Sequence, residues 1–308
     1  MFQVIIMFAL FASVFTVGKV TLETIPPFLL TGIRYTLAGV FLTVLGIYQK
    51  NGESTSPIPH WKLLFGVGLF GVFLTNGLEF WGLQYLSSGK TCLLYSLTPF
   101  FSIILAYLML NEHMTLKKLT GLVIGTLGFA ILILGNDITE VSDTTWRIGS
   151  ISLAEFAVIF AAIATVFGWI FFKQLTKQKS YPINLANGYS FIIGGLIAFI
   201  CSFIFETLPA LDSLNITTTA FQIIYITIIH SIICYTLYAR FLQKFSVTFM
   251  MFAGIINPIF TAIYGWIFLN EQVTKEFLIC LSFVCIGLYI FYKEEKEQKE
   301  EEDVSLVN

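Results

Sequence analysis

The chain has 308 residues, of which 56% are apolar and only 12% charged, about half the charged fraction of an ordinary soluble domain. Its net charge of −2 says nothing about partners, and no basic tract suggests nucleic acid. Five cysteines, Cys92, Cys201, Cys234, Cys280 and Cys285, all lie in apolar runs without CxxC or Cys/His spacing, so neither a metal nor a cofactor is expected.

A helix needs about 20 apolar residues to cross a bilayer core. Charged or Pro-, Gly- and Asn-rich breaks divide the chain into ten such stretches: 2–20, 27–48, 63–84, 88–110, 116–135, 150–172, 183–205, 217–239, 246–269 and 275–292. The first has no basic leader or small-residue cleavage site before Lys19, so it reads as a membrane helix and not as a signal peptide. The tail from Lys293 is mixed in charge and mainly acidic, and reads as a solvated, frayed helix end. The expected fold is therefore an all-α membrane protein with ten transmembrane helices and no room for a soluble domain.

The same sequence unit occurs twice. Residues 97–131 (LTPFFSIILAYLMLNEHMTLKKLTGLVIGTLGFAI) align without a gap on residues 256–290 (INPIFTAIYGWIFLNEQVTKEFLICLSFVCIGLYI). Pro99 falls on Pro258, Leu110-Asn111-Glu112 on Leu269-Asn270-Glu271, and Gly128 on Gly287. With both ends inside, twelve lysines and arginines sit on the inner side against Lys19, Lys90, Arg147 and Lys275 outside, the asymmetry expected of cytoplasmic termini. Five helices per half is an odd number, so the second half must cross the membrane in the opposite sense. The expected units are residues 1–137, residues 148–292 and a cytoplasmic tail at 293–308, in a cell (inner) membrane.

Residues 26–34 (PPFLLTGIR), 85–112 (YLSSGKTCLLYSLTPFFSIILAYLMLNE) and the second copy at 243–271 resemble the EamA-type transporters of the drug/metabolite transporter superfamily. The resemblance covers essentially the whole chain. It implies two inverted five-helix repeats around a central cavity, alternating access, and cargo ranging over amino acids, nucleotide-related metabolites and toxic compounds. Within that superfamily, 80–112 is similar to S-adenosylmethionine carriers of intracellular bacteria.

Ionisable residues inside membrane helices are costly and mark a site or a pair. Glu79 reads as a carboxylate for a cationic cargo or a coupling proton, or else as half of a salt bridge with Arg34 or Lys90. Glu155 reads equally as a cargo ligand or as a helix N-terminal residue favoured by the macrodipole. For Arg34 a clamp between helices is the better reading, with a cargo carboxylate as the alternative; His230 reads as an interior histidine before a proton relay. Glu112 and Glu271, at matching corners, are expected to cap or pin a neighbouring helix.

Tyr95, Tyr235 and Tyr238 are pocket candidates, because a buried phenol needs a partner. Trp81 and Trp169 suit interfacial anchoring, although Trp81 and Phe15 also enter the expected cargo wall. Asn257 beside Pro258 adds a polar group where a proline frees a carbonyl. Pro99 and Pro258 are the expected flexible points. Aromatic rings with one or two carboxylates suit a cationic, partly flat solute.

Together these residues describe a secondary transporter for a small organic metabolite, with a nucleoside-containing cation such as S-adenosylmethionine as one candidate. An amino-acid or drug exporter of the same build is the alternative. A membrane-embedded lipid-modifying enzyme would need clustered Asp, Glu, His or Cys motifs that the sequence lacks, and no phosphate loop is present. The expected partners are the cargo and surrounding lipid, in a monomer or weak homodimer. Single cysteines placed in 51–60 and in 137–147 should label from opposite sides of the membrane. Labelling from one side would overturn the topology.

Overall fold

A computed structural model describes residues 2–49, 58–110, 116–134, 147–148, 151–208, 215–245, 247–254 and 256–307. Helices dominate because a chain in lipid has no water to satisfy its backbone, and a helix satisfies nearly all of it internally. In chain order these are α1 (Phe2–Thr21), α2 (Pro27–Gln49), α3 (Trp61–Tyr85), α4 (Ser88–Tyr95), α5 (Thr98–Leu110) and α6 (Leu116–Leu134). They continue with α7 (Leu153–Lys177), α8 (Ile183–Phe205), α9 (Ile216–Lys244), α10 (Val247–Ala253), α11 (Ile256–Leu269) and α12 (Lys275–Val307). A short antiparallel pair, β1 (Arg147–Ile148) with β2 (Ile151–Ser152), precedes α7. Six helices, α1, α2, α3, α7, α8 and α9, are long and apolar enough to cross a membrane, and α11 is a shorter apolar helix.

Two stretches expected as single helices are broken. The run 88–110 divides at Ser96-Leu97 and the run 246–269 divides after Ala253. The cause is local. A proline lacks its N–H and its ring crowds the carbonyl four residues back. Four residues before Pro99 is Tyr95, where α4 ends, and four before Pro258 is Gly254, just past α10. The freed Tyr95 carbonyl accepts from Thr98 Oγ1 at 2.5 Å, and the Gly254 carbonyl from the Asn257 N–H at 2.9 Å. In the other direction, α12 runs on as helix to Val307, through the charged tail expected to fray.

Helix α3 widens into π-helical turns at Val67–Gly77, and α9 does so at Thr227–Cys234. The register shows in the side chains: Thr75 Oγ1 donates to the carbonyl five residues back, Phe70, at 2.7 Å. Insertions of this kind gather at functional sites.

The second half repeats the first at a fixed interval. Tyr85, Ser88, Leu110 and Leu116 end or begin helices, and Lys244, Val247, Leu269 and Lys275, each 159 residues later, do the same. Helix contacts come in exchanged pairs: α2 packs on α8, α6 on α12, α3 on α7 as α9 on α1, and α11 on α1 as α5 on α7.

Glycines make the closest seams, as small residues do between membrane helices. A Cβ on Gly168 of α7 would lie 2.3 Å from the Gly71 Cα of α3, and one on Gly195 of α8 only 2.9 Å from the Thr36 N of α2. Gly168→Leu should therefore force α3 and α7 apart, costing about 1–3 kcal/mol. A control, Gly89→Ala, meets only Phe277 ring atoms at ordinary contact distance, 3.4 Å or more. Thermal unfolding in detergent should show a clear loss for the first and little for the second.

Candidate functional site

A cavity enclosing about 700 Å³ of space, open solvent at its mouth included, lies between α1, α3, α4, α5, α7, α9, α10 and α11. Its wall includes Phe8, Phe11 and Phe15 of α1, Asn76 and Glu79 of α3, and Trp169 of α7. The breaks at the two prolines bring Tyr95, Thr98, Pro99, Gly254 and Asn257 to the same wall. Wall residues on the two halves pair at the 159-residue interval: Asn76 with Tyr235, Glu79 with Tyr238, Cys92 with Met251, Tyr95 with Gly254, and Thr98 with Asn257. Discontinuous helices at a repeat interface are a common way to build a solute site in a bilayer.

One end of the wall is aromatic. Trp169 stacks on Tyr238 with ring centroids 4.2 Å apart, and Tyr235 lies 5.4 Å from the same indole. Trp169, expected as an interfacial anchor, thus belongs to the cavity. Nothing in its own stretch of sequence separates the two roles, because an indole among apolar residues suits either.

Most polar groups on the wall are already satisfied by the protein. Tyr95 bonds Thr165, which in turn bonds Thr75 Oγ1 at 2.9 Å. Asn76 donates to the Tyr235 hydroxyl at 3.0 Å and accepts from Arg34 Nη2 at 3.0 Å. Arg34 is fully buried. Its Nη1 lies 3.3 Å from His230 Nδ1; a guanidinium can only donate, so that nitrogen accepts and the imidazole proton sits on Nε2. The Arg34 guanidinium also lies over the Phe80 and Tyr35 rings at 4.3 and 4.7 Å. These contacts clamp α2 to α3 and α9. They place His230 beside a fixed cation.

Glu79 is different. Its carboxylate makes no hydrogen bond or salt bridge among the described residues, with Arg34 committed elsewhere and Lys90 paired to Glu155 at 3.0 Å. Of the residues expected at the cargo site, Phe15, Glu79, Tyr95, Tyr235, Tyr238 and Asn257 line this cavity.

Two do not. Glu155 accepts from the Ser152 N–H at 2.6 Å in a capping box and pairs with Lys90 through its other oxygen. Both oxygens are engaged at the start of α7 and none faces the cavity wall. Trp81 packs edge-on against Tyr85, 5.3 Å between centroids, in a separate apolar cluster.

The α3–α4 corner at one end of the cavity is tied by charge. Lys19 Nζ donates to the carbonyls of Leu83, Gln84 and Leu86 at 2.7–3.1 Å, satisfying the last turn of α3. Glu271 accepts from the Ser88 N–H at 2.8 Å and the Ser88 hydroxyl at 2.5 Å, capping α4. The Leu-Asn-Glu motif explains itself here: Asn270, at φ 55°, ends α11 in the left-handed conformation that Asn tolerates, and turns Glu271 back across the repeat boundary. Glu112, at the matching corner, lies outside the described residues.

A larger groove of about 1390 Å³ runs between α1, α9 and α11. Its rim carries exposed apolar side chains such as Phe221 and Phe268, so it faces the lipid.

A multi-pass helical protein with a solute-sized cavity at its broken helices is a membrane transporter in form. The EamA-like transporter family matches residues 1–134 and 152–293, and the chain belongs to that family. It is a transporter and not an enzyme. The S-adenosylmethionine/S-adenosylhomocysteine transporter of Chlamydia muridarum is 32% identical, over 94% of this chain and 90% of that protein. The protein of the same description in Chlamydia trachomatis serovar L2 is 31% identical, over 94% and 88%. An uncharacterized transporter of Bacillus subtilis is 25% identical, over 88% and 89%. A protein of known crystal structure, 16% identical, shares the fold with a TM-score of 0.62 over 94% of this chain and 93% of its own.

Removing one member of a buried ion pair leaves the other uncompensated, at about 3–5 kcal/mol, whereas replacing both by apolar residues is often neutral. Lys90→Met alone should therefore lower the melting temperature sharply, by leaving Glu155 without its cation. The double variant Lys90→Met with Glu155→Gln, which removes both charges and keeps an acceptor for the Ser152 N–H, should recover most of the loss, measured by thermal unfolding.

Proposed function

We propose that this protein carries S-adenosylmethionine across the cell (inner) membrane in exchange for S-adenosylhomocysteine, by alternating access. Glu79 carries this assignment: it is a carboxylate without a partner among the described residues, on the wall of an aromatic cavity. S-adenosylmethionine brings a sulfonium and an ammonium cation together with a flat heteroaromatic ring. A desolvated carboxylate attracts the sulfonium by charge, and Trp169, Tyr235 and Tyr238 offer stacking and cation–π faces. The names of the Chlamydia relatives support the same cargo.

The conformational cycle follows from the repeat. The units 1–137 and 148–292 are read as inverted five-helix halves of a ten-helix transmembrane bundle, with 293–308 as a cytoplasmic tail. The common 159-residue interval and the exchanged helix contacts support this. The lysine and arginine distribution supports cytoplasmic termini. In that orientation the α3–α4 corner, held by Lys19 and Glu271, is the extracellular gate, and the cavity reaches from Glu79 towards the cytoplasmic side at Tyr238. Opening outward must break the Glu271–Ser88 contact, and the breaks at Pro99 and Pro258 let α4 and α10 tilt against α5 and α11. The working unit is a monomer or weak homodimer in lipid.

Glu79→Gln keeps the shape of the wall and removes its charge. The charge-assisted contact is worth about 1.5–3 kcal/mol, roughly ten- to a hundredfold in affinity. Counterflow in proteoliposomes should show that loss for S-adenosylmethionine and a much smaller one for S-adenosylhomocysteine, which lacks the sulfonium charge. If the wild-type protein binds neither compound but moves amino acids, the exporter reading replaces this one. Equal losses for both compounds would move Glu79 from the sulfonium to the ammonium that both share, and no loss for either would remove it from the site.

A further inference from the structure

Three side chains on the cavity wall carry an sp² oxygen: Asn76, Glu79 and Asn257. The Asn76 amide is fully employed, its oxygen by Arg34 and its nitrogen by Tyr235 and the Val72 carbonyl. Glu79 is unpaired and is assigned above to the cation. Asn257 is unpaired as well. Its Oδ1 is buried and meets no donor, and its Nδ2 makes no hydrogen bond among the described residues. A buried carbonyl oxygen without a donor is costly, so a side chain carrying one on the wall of a solute cavity gains from a donor that the solute brings as the wall yields to it.

The backbone explains why Asn257 is free. It stands in the first turn of α11, directly after the break imposed by Pro258, with its own N–H spent on the Gly254 carbonyl. Thr98 stands at the matching place in the first half, and its hydroxyl is turned back onto the Tyr95 carbonyl. The two halves thus put a polar residue at the same point of the wall, and only the second half leaves it open.

A primary carboxamide presents an acceptor and a donor side by side. Its complement is a ring edge with an amino group next to a ring nitrogen, the arrangement by which Asn reads adenine. Resting on the cargo class assigned above, we propose that Asn257 is the specificity residue that reads the amino-substituted edge of the cargo's purine. The 6-amino group donates to Oδ1, and a ring nitrogen accepts from Nδ2. Glu79 and Asn257 then divide the work: one reads the charge of the cargo and the other its base.

The test compares S-adenosylhomocysteine with its analogue carrying hydrogen in place of the 6-amino group, as competitors of counterflow. The wild-type protein should prefer the amino compound by about tenfold or more, since the analogue leaves Oδ1 unsatisfied. Asn257→Leu should abolish that preference, with inhibition by S-adenosylhomocysteine falling about tenfold more than inhibition by the analogue, which loses only its contact with Nδ2. Asn257→Ala, which adds no bulk, gives the same readout if leucine does not pack. A preference retained in either folded variant overturns the inference, as does a parallel loss for both compounds. Absence of a preference in the wild-type protein overturns it and leaves the transport reading intact. Failure of both compounds to compete at all removes the cargo assignment, and the inference with it.

Discussion

The site depends on how Arg34 is satisfied. A buried guanidinium near a buried carboxylate would ordinarily pair with it, and the two would cancel. Here Arg34 donates from its two terminal nitrogens to a neutral imidazole and a neutral amide, His230 and Asn76, while its Nε meets no acceptor among the described residues, and the guanidinium lies over two aromatic rings. That arrangement locks α2, α3 and α9 together without consuming Glu79. Structural and solute-facing charges are kept apart by geometry, although they share one region of the bundle. Loss of Asn76 or His230 would free the guanidinium to reach for the carboxylate.

The duplicated backbone supplies the frame, and departures from symmetry supply the chemistry. Both halves break a helix four residues before a proline and both widen a helix by π turns. Yet at each shared position of the wall the residues differ: Asn76 against Tyr235, Glu79 against Tyr238, Thr98 against Asn257. The first half contributes the carboxylate of Glu79, the second the stacked Trp169–Tyr238 pair and the amide of Asn257, and the hydrogen-bond network spans both. A solute with one cationic end and one flat end matches such a wall in a single orientation.

The same logic explains the α3–α4 corner. Helix ends inside a membrane protein leave backbone groups that lipid cannot satisfy. Lys19 and Glu271 satisfy those of α3 and α4 from outside the two helices, so they stabilise the fold. Gly265 makes room for this: a Cβ there would lie 2.6 Å from Glu271 Oε2 and 2.8 Å from Ser88 Oγ.

Much of this was legible in the residues. Length and apolarity set the helices, the gapless match of 97–131 with 256–290 set the repeat, and the cost of buried charge singled out Glu79 and Arg34. Those conclusions need only local rules of solvation and backbone satisfaction. The partner of each charge was not legible: Glu155 and Lys90 are 65 positions apart, as are Lys19 and Gln84, and which carboxylate meets which cation depends on helix rotation and crossing. For the same reason Trp81 and Trp169 could not be told apart, one falling in an apolar cluster and the other against Tyr238. Sequence by itself determined that this is a duplicated helical membrane carrier with costly buried charges. Only the tertiary structure decided which of those charges are spent, because pairing is settled by packing across the repeat boundary.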